Sequence, residues 1–448
     1  MTISSLRGLT FFSVLALPLL MGAAGYLRAA EAPALPLKVS ENRRYLVDQK
    51  GHPFLIHGDT AWSLITAVTK EEAVRYLDDR RDKGFDAIIV NLIEHFFNGP
   101  IDRDGEGPFT TPGDFSKPNE KYFAHADWVL KQAQEKGIVV FLFPMYLGYK
   151  GTDEGWYQEA LLNGTAKCRN YGRYLGKRYK SFTNIVWTMG GDRNPELVED
   201  GVDAVAAGIR ESMPDALFSA HPAPEFAGAE KYSLHWLDIN STYTYGIVHG
   251  QLLRDYNQKP VMPFVLMEST YEGEHNSSPV QIRRQAYWAI LCGAAGQFLG
   301  NKPIWGFDPG WQTALNSQGS RDMVHLRSLF EARRWYDLIP DQQHKVVVDG
   351  LGEFRGLDFA SAARTSDRRT LMVYIPTPRT VVVDTTQIAG ARERALWFDP
   401  RTGNTTSAGE FAAGERKSFK TPSDGDWVLV VEDAALPVAA QTQAVTKR

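Results

Sequence analysis

Two acidic residues stand where hydrolytic chemistry would want them. Asp192 directly follows Gly190-Gly191, a pair that lets the backbone turn tightly under a bulky ligand, and Glu268 ends the apolar run 263–267. Cleaving a glycosidic bond takes one carboxylic acid to protonate the leaving oxygen and one carboxylate to attack the anomeric carbon or activate water. The competing structural readings are a helix N-cap for Asp192 and a solvated strand end for Glu268. Around them the expected ligand contacts are His57, Asp59, Trp62, Asn91, Tyr146, Arg193, His221, Tyr243, Tyr271 and Trp305. Trp62, Tyr146, Tyr243 and Trp305 suit stacking on the C–H faces of a sugar ring, with core packing as the alternative. Asp59 would fix His57 or a sugar hydroxyl, or else brace a helix. His221 would touch the ligand or be satisfied by a backbone carbonyl. Arg193 would tune Asp192 by its charge or pair at the surface. His57, His95 and His125 fall on separate segments with no metal-ligand spacing, so neither a metal nor a cofactor is expected.

These residues need a frame that brings them together. From about residue 54 to 335 the chain repeats one theme, a short apolar run followed by an amphipathic stretch. Expected strands are 54–58, 87–92, 138–144, 184–188, 217–220, 237–242, 263–267 and 296–300. Expected helices include 70–83, 124–136, 170–179, 201–213, 280–292 and 321–335. The strands read as continuous apolar runs, as in a parallel sheet covered by helices. Gly84 and Gly137, each just before a strand, suit helix C-caps. Eight strand-plus-helix units predict an α/β fold of the (β/α)8 barrel type, with function gathered at the C-terminal ends of the strands. A doubly wound sheet is the rival, but no GxGxxG follows the first strand and no phosphate-binding loop occurs.

A hairpin, 44–47 and 53–56 about the turn Asp48-Gln49-Lys50-Gly51, precedes the barrel, which is expected over 38–340. Beyond Pro340 the pattern changes to short alternating segments at 346–348, 357–360, 371–374, 380–384, 393–398 and 427–431. These predict a small all-β sandwich over 345–434 and a flexible tail over 435–448.

Composition narrows the function classes. The chain has 448 residues, 43% apolar and 23% charged, which marks a folded globular protein. Its 49 Lys and Arg against 53 Asp and Glu leave a net charge of −4, so nucleic acid and acidic lipid have no electrostatic case. Cys168 and Cys292 are too few for a disulfide scaffold or a thiolate metal cluster. Eleven Trp, 18 Tyr and 23 Phe serve core packing or a cleft of flat faces for sugars. Residues 1–30 read as a signal peptide: Arg7 charges its start, 9–21 is apolar, and small residues follow. Export to the periplasm or beyond is expected, with no membrane attachment after cleavage.

The segments His57-Gly58-Asp59-Thr60-Ala61-Trp62, Gly84-Phe85-Asp86-Ala87-Ile88-Ile89-Val90-Asn91, Trp187-Thr188-Met189-Gly190-Gly191-Asp192-Arg193 and Glu268-Ser269-Thr270-Tyr271-Glu272-Gly273 resemble the apiosidase-like hydrolases, glycoside hydrolase family 140. The resemblance covers about residues 38–340, and the following β domain is similar to a collagen-binding type. The resemblance implies a (β/α)8 enzyme that acts on plant pectin and releases apiose-linked side-chain units by a retaining mechanism. It also implies Asp192 as general acid/base and Glu268 as nucleophile. Other readings stay open: a non-catalytic secreted carbohydrate-binding protein, a glycosidase of the same fold for another sugar, a metal-assisted hydrolase, or a lyase.

Overall fold

The computed structural model describes residues 32–95, 99–149 and 154–438; the expected signal peptide and residues 439–448 of the expected tail lie outside them. Eight parallel strands make the frame: β1 Ile56–Thr60, β2 Ala87–Asn91, β3 Val139–Phe143, β4 Ile185–Gly190, β5 Phe218–His221, β6 Asn240–Tyr243, β7 Phe264–Glu268 and β8 Gly296–Leu299. Neighbours in sequence pair in parallel from β1 to β5 and from β6 to β8, and β8 pairs with β1. A parallel bridge from Ser219 in β5 to Ile239, just before β6, closes the barrel. The eight strands expected for the barrel all form, each within a few residues of its sequence position.

Alternation along these strands gives two cores. Ala87, Ile89, Phe141, Val186, Val265, Met267 and Phe298 point inward and fill the barrel. Ile88, Val90, Val140, Leu142 and Trp187 point outward into the layer beneath the helices. Both faces are buried, which is why the strands read as unbroken apolar runs. A helix follows each strand: α1 Lys70–Asp82, α2 Glu120–Glu135, α3 Tyr157–Tyr179, α4 Glu199–Arg210, α5 Gly228–Lys231, α6 Val248–Asn257, α7 Pro279–Leu291 and α8 Gln318–Glu331. Their starts carry the chemistry that satisfies free backbone N–H groups. Thr69 and Glu72 form a capping box before α1, and Ser278 caps α7 with Pro279 at its first position.

Helix α3 begins well before the expected residue 170, and Gly164 (φ 65°) interrupts it. The eight expected strand-plus-helix units include helices after β5 and β6, but the sequence did not locate α5 and α6. The inner face of α6 mixes His249, Gln251 and Asp255 with Val248 and Leu252, which blurs the apolar stripe a helix normally shows.

At the N-terminal end, Leu46–Val47 pairs with Pro53–Phe54 across the expected turn, with Gly51 N–H donating to Asp48 O at 3.0 Å. Leu37, Leu46 and Phe54 join the inner core, so the hairpin packs into the barrel interior.

After the barrel come two antiparallel sheets. The larger runs, in spatial order, Leu338–Pro340, Ser361–Thr365, Thr370–Ile375, Trp427–Asp433, Arg392–Phe398 and Thr405–Ala412. The smaller holds Val347–Asp349, Thr380–Asp384 and Arg416–Lys420. Val381, Val383 and Phe419 of the smaller pack on Leu371, Val373, Leu429 and Val431 of the larger, the core of a sandwich. The strand expected at 357–360 forms instead at Ser361–Thr365, and Thr405–Ala412 and Arg416–Lys420 were not expected. The opposite face of the larger sheet, with Met372, Tyr374, Val428 and Val430, lies against Tyr287 and Trp288 of α7 and Met323 and Phe330 of α8.

Candidate active site

The chain leaves β4 through three consecutive residues in the left-handed region: Gly190 (φ 95°), Gly191 (φ 120°) and Asp192 (φ 49°). A Cβ on Gly190 would stand 2.1 Å from Tyr232 Oη, and one on Gly191 would stand 2.1 Å from the Tyr146 ring. The protein's own packing therefore demands the double glycine. Asp192 is not a helix N-cap, because the next helical turn begins at Glu196. Its side chain instead enters the barrel mouth, where Tyr146 Oη donates to Oδ2 at 2.6 Å.

Glu268, the last residue of β7, meets it there. Tyr245 Oη donates to Glu268 Oε1 at 3.0 Å. His221, at the end of β5 and fully buried, lies between the two acids: its Nε2 is 3.1 Å from Glu268 Oε2 and its Nδ1 is 3.6 Å from Asp192 Oδ1. His221 Nδ1 also lies 3.3 Å from the Asp192 main-chain nitrogen and 3.2 Å from the Pro222 carbonyl oxygen, so main-chain groups seat the ring with Nε2 toward Glu268. Oxygens of Asp192 and Glu268 and a ring nitrogen of His221 all fall within 4.8 Å of one another.

The electrostatics of the cluster favour the protonated form of Asp192. Burial, then the negative charge of Glu268, pushes the Asp192 carboxyl up to about 7. His221 lies above its usual value: burial works against its charged form, but the hydrogen bond to Glu268 and both carboxylate charges outweigh it. Burial and these same charges hold the hydroxyls of Tyr146, Tyr243 and Tyr245 protonated.

A cleft of about 710 Å³ opens above the acids. Of the expected residues, Trp62, Tyr146, Asp192, Tyr243, Glu268, Tyr271 and Trp305 line it together. Trp62 Nε1 donates to Tyr271 Oη at 3.0 Å and Trp305 Nε1 donates to Glu274 Oε1 at 2.9 Å, so polar atoms orient the rings.

Other expected contacts lie elsewhere. His57 and Asp59 point out of the barrel, because Gly58 and Thr60 take the inward positions of β1. The His57 ring stacks on Phe85 at 4.8 Å, and burial with the charges of Arg327 and Arg80 keeps it neutral. Asp59 accepts from Tyr76 Oη at 2.8 Å and pairs with Arg80 at 3.3 Å, bracing α1. Arg193 turns away from Asp192 and lies 3.4 Å over the Tyr157 ring. Asn91 faces the barrel interior but is buried beside the Trp62 backbone, outside the cleft lining. His221 makes the cluster's floor rather than its open wall.

Sequence reasoning did not single out Tyr245, Glu154, Thr270, Glu274, His275 or Gln281, which line the cleft together with Tyr149 and the expected residues that reach it. Tyr245 carried a signal, since it stands two residues from Tyr243 and shares its direction along an extended chain. The others sit in irregular loops or at a helix start, where spacing says nothing.

The family model "Apiosidase-like, catalytic domain" matches residues 40–337, and a model for a collagen-binding-type domain of a collagenase matches residues 339–432. A solved glycoside hydrolase superposes with a TM-score of 0.80 at 27% identity, covering 90% of this chain and 97% of its own. A glycoside hydrolase family 5 protein from Bacteroides vulgatus superposes with a TM-score of 0.80 at 25% identity, covering 91% of this chain and 95% of its own. No curated protein sequence matches.

Proposed function

The chain belongs to the apiosidase-like family, and from that membership and the cleft we propose a retaining, exo-acting furanosidase of apiosidase type that trims pectic side chains. At the coarser level it is an enzyme of glycoside-hydrolase fold acting on carbohydrates. The observation that carries the mechanism is the approach of Asp192 and Glu268 oxygens to within 4.8 Å. Carboxyl groups about 5–5.5 Å apart suit direct attack on the sugar, whereas about 6.5–9.5 Å leaves room for an intervening water.

Asp192, protonated, donates its proton to the glycosidic oxygen as Glu268 attacks the anomeric carbon. The aglycone leaves and a covalent glycosyl-enzyme remains. Asp192, now a carboxylate, takes a proton from water, and the resulting nucleophile displaces Glu268 and frees the sugar. Tyr245 and His221 aim the Glu268 oxygens, and Tyr146 holds Asp192. Trp62, Tyr243 and Trp305 offer flat walls to the ring. Among the described residues that line the cleft there is no Lys or Arg, while Glu274 adds negative charge to that of the acid pair. That supports a neutral sugar at the reacting position rather than a uronic acid.

The test is sugar release from pectic fractions and from aryl furanosides and pyranosides, with Glu268→Gln beside the wild type. Release by the wild type alone supports the reading and names the sugar. Equal release by both overturns the assignment of Glu268. Silence across a panel that includes rhamnogalacturonan II favours a binding protein. A second reading keeps the chemistry and changes the sugar, since one similar structure is a family 5 glycoside hydrolase; the same panel separates the two. Asp192, His221 and Glu268 also present donor atoms close enough for a metal ion. Release that persists in a chelator excludes metal-assisted hydrolysis. The proposal includes export, carried by the sequence 1–30, and sizing the mature chain by mass spectrometry tests it.

A further inference from the structure

Helix α7 presents one face to the cleft and another to the β domain. On the cleft side, Gln281 Nε2 donates to Thr270 Oγ1 at 2.9 Å and Gln285 Nε2 donates to the Thr270 carbonyl at 2.8 Å. Four residues apart, the two glutamines share a helical face and together grip one residue just past Glu268. On the other side, Arg283 forks onto Asp426 of the β domain, Nε to Oδ2 at 2.8 Å and Nη2 to Oδ1 at 2.7 Å. Its remaining Nη1 donates to Asp322 of α8 at 2.7 Å. Both aspartate side chains are fully buried, so this fork has no competing water and one geometry. Trp288 Nε1 adds a bond to the Phe359 carbonyl at 3.1 Å.

We infer that the β domain is part of the catalytic frame: through Arg283–Asp426 it fixes α7, and through α7 it fixes the Thr270 segment that aims Glu268. Arg283 and Asp426 are positioning residues; neither touches the sugar. A domain docked only as a binding module needs no such path to the acid pair. Displacing a reacting group by about 1 Å costs on the order of a hundredfold in rate, so slack in this path reaches the chemistry. The rate effect rests on the reading of Glu268 as nucleophile, whereas the mechanical coupling does not.

The experiment compares full-length wild type with Asp426→Asn, Gln285→Met and Glu432→Gln. Glu432 serves as the control, because it ties the β domain to Arg333 at 2.9 Å without touching α7. Hydrogen–deuterium exchange of residues 269–278 is read first, at a temperature where circular dichroism shows every variant folded. Exchange should quicken about tenfold in Asp426→Asn and Gln285→Met and stay unchanged in Glu432→Gln. On an aryl glycoside that the wild type cleaves, kcat should fall about tenfold with KM unchanged in the first two variants only. Unchanged exchange at 269–278 in Gln285→Met and Asp426→Asn overturns the inference, and so does an equal rise in Glu432→Gln. Should Asp426→Asn not fold, unchanged exchange in Gln285→Met still overturns the inference, since the path to Thr270 runs through Gln285. A wild type that cleaves nothing defeats the functional reading, while exchange still decides the coupling.

Discussion

Asp192 is asked to keep a proton at a pH where most aspartates have lost it. Its carboxyl is pushed up to about 7, by burial first and by Glu268 second, so the acid form exists below that value and vanishes above it. kcat/KM should therefore fall as pH rises through about 7. Tyr146→Phe removes a hydrogen bond that favours the carboxylate, and should move this alkaline limb upward by about one pH unit. A limb that stays in place would exclude Asp192 as the acid. The same shift weakens the fold, because between pH ~4 and ~7 the unfolded chain releases a proton that the folded chain retains. Glu393 shows that effect without a catalytic role. It is fully buried, neither carboxylate oxygen has a hydrogen-bond partner, and burial pushes it up to about 7. Stability should fall from pH ~4.5 to ~7, and Glu393→Gln should flatten that part of a Tm-against-pH curve while matching the wild type near pH 4.

The turn after β4 sets where Asp192 points, and it has no slack. Gly191→Ala would drive a methyl group into the Tyr146 ring and penalise a φ of 120°. The expected outcome is a folded protein with kcat lowered about a hundredfold, checked by circular dichroism beside a rate assay. The strands were readable in the sequence because burial on both faces writes an apolar run directly into it. The acid pair was readable because Glu268 directly follows such a run and Asp192 follows one after a double glycine. What the sequence concealed has physical causes. His57 and Asp59 lie within β1, but which side of the sheet they face depends on a parity that the sequence does not announce. Arg193 is adjacent to Asp192 in sequence and opposed to it in space. Helix α6 hides behind buried polar residues, and Asp255 among them accepts a hydrogen bond from Gln251 at 3.0 Å. Thr405–Ala412 stayed hidden because most of its side chains are at least partly exposed, which leaves no apolar alternation.

Barrel and sandwich share a core across α7 and α8. A chain ended after residue 337 would uncover Tyr287, Trp288, Met323 and Phe330 as one apolar patch. It should aggregate on concentration where the full chain stays monodisperse, as light scattering would report. Trp288→Ala in the full chain should cost about 3–5 kcal/mol, measured by denaturant unfolding.

Ordinary barrel helices keep a flank toward water on which sequence can drift. Every residue of α7 from Ile282 to Leu291 is buried. A recombination event that gave this barrel a new companion domain would also have to replace the helix seated between them. Exchanging the companion domain is thus a redesign of α7 as well, on both of its faces at once.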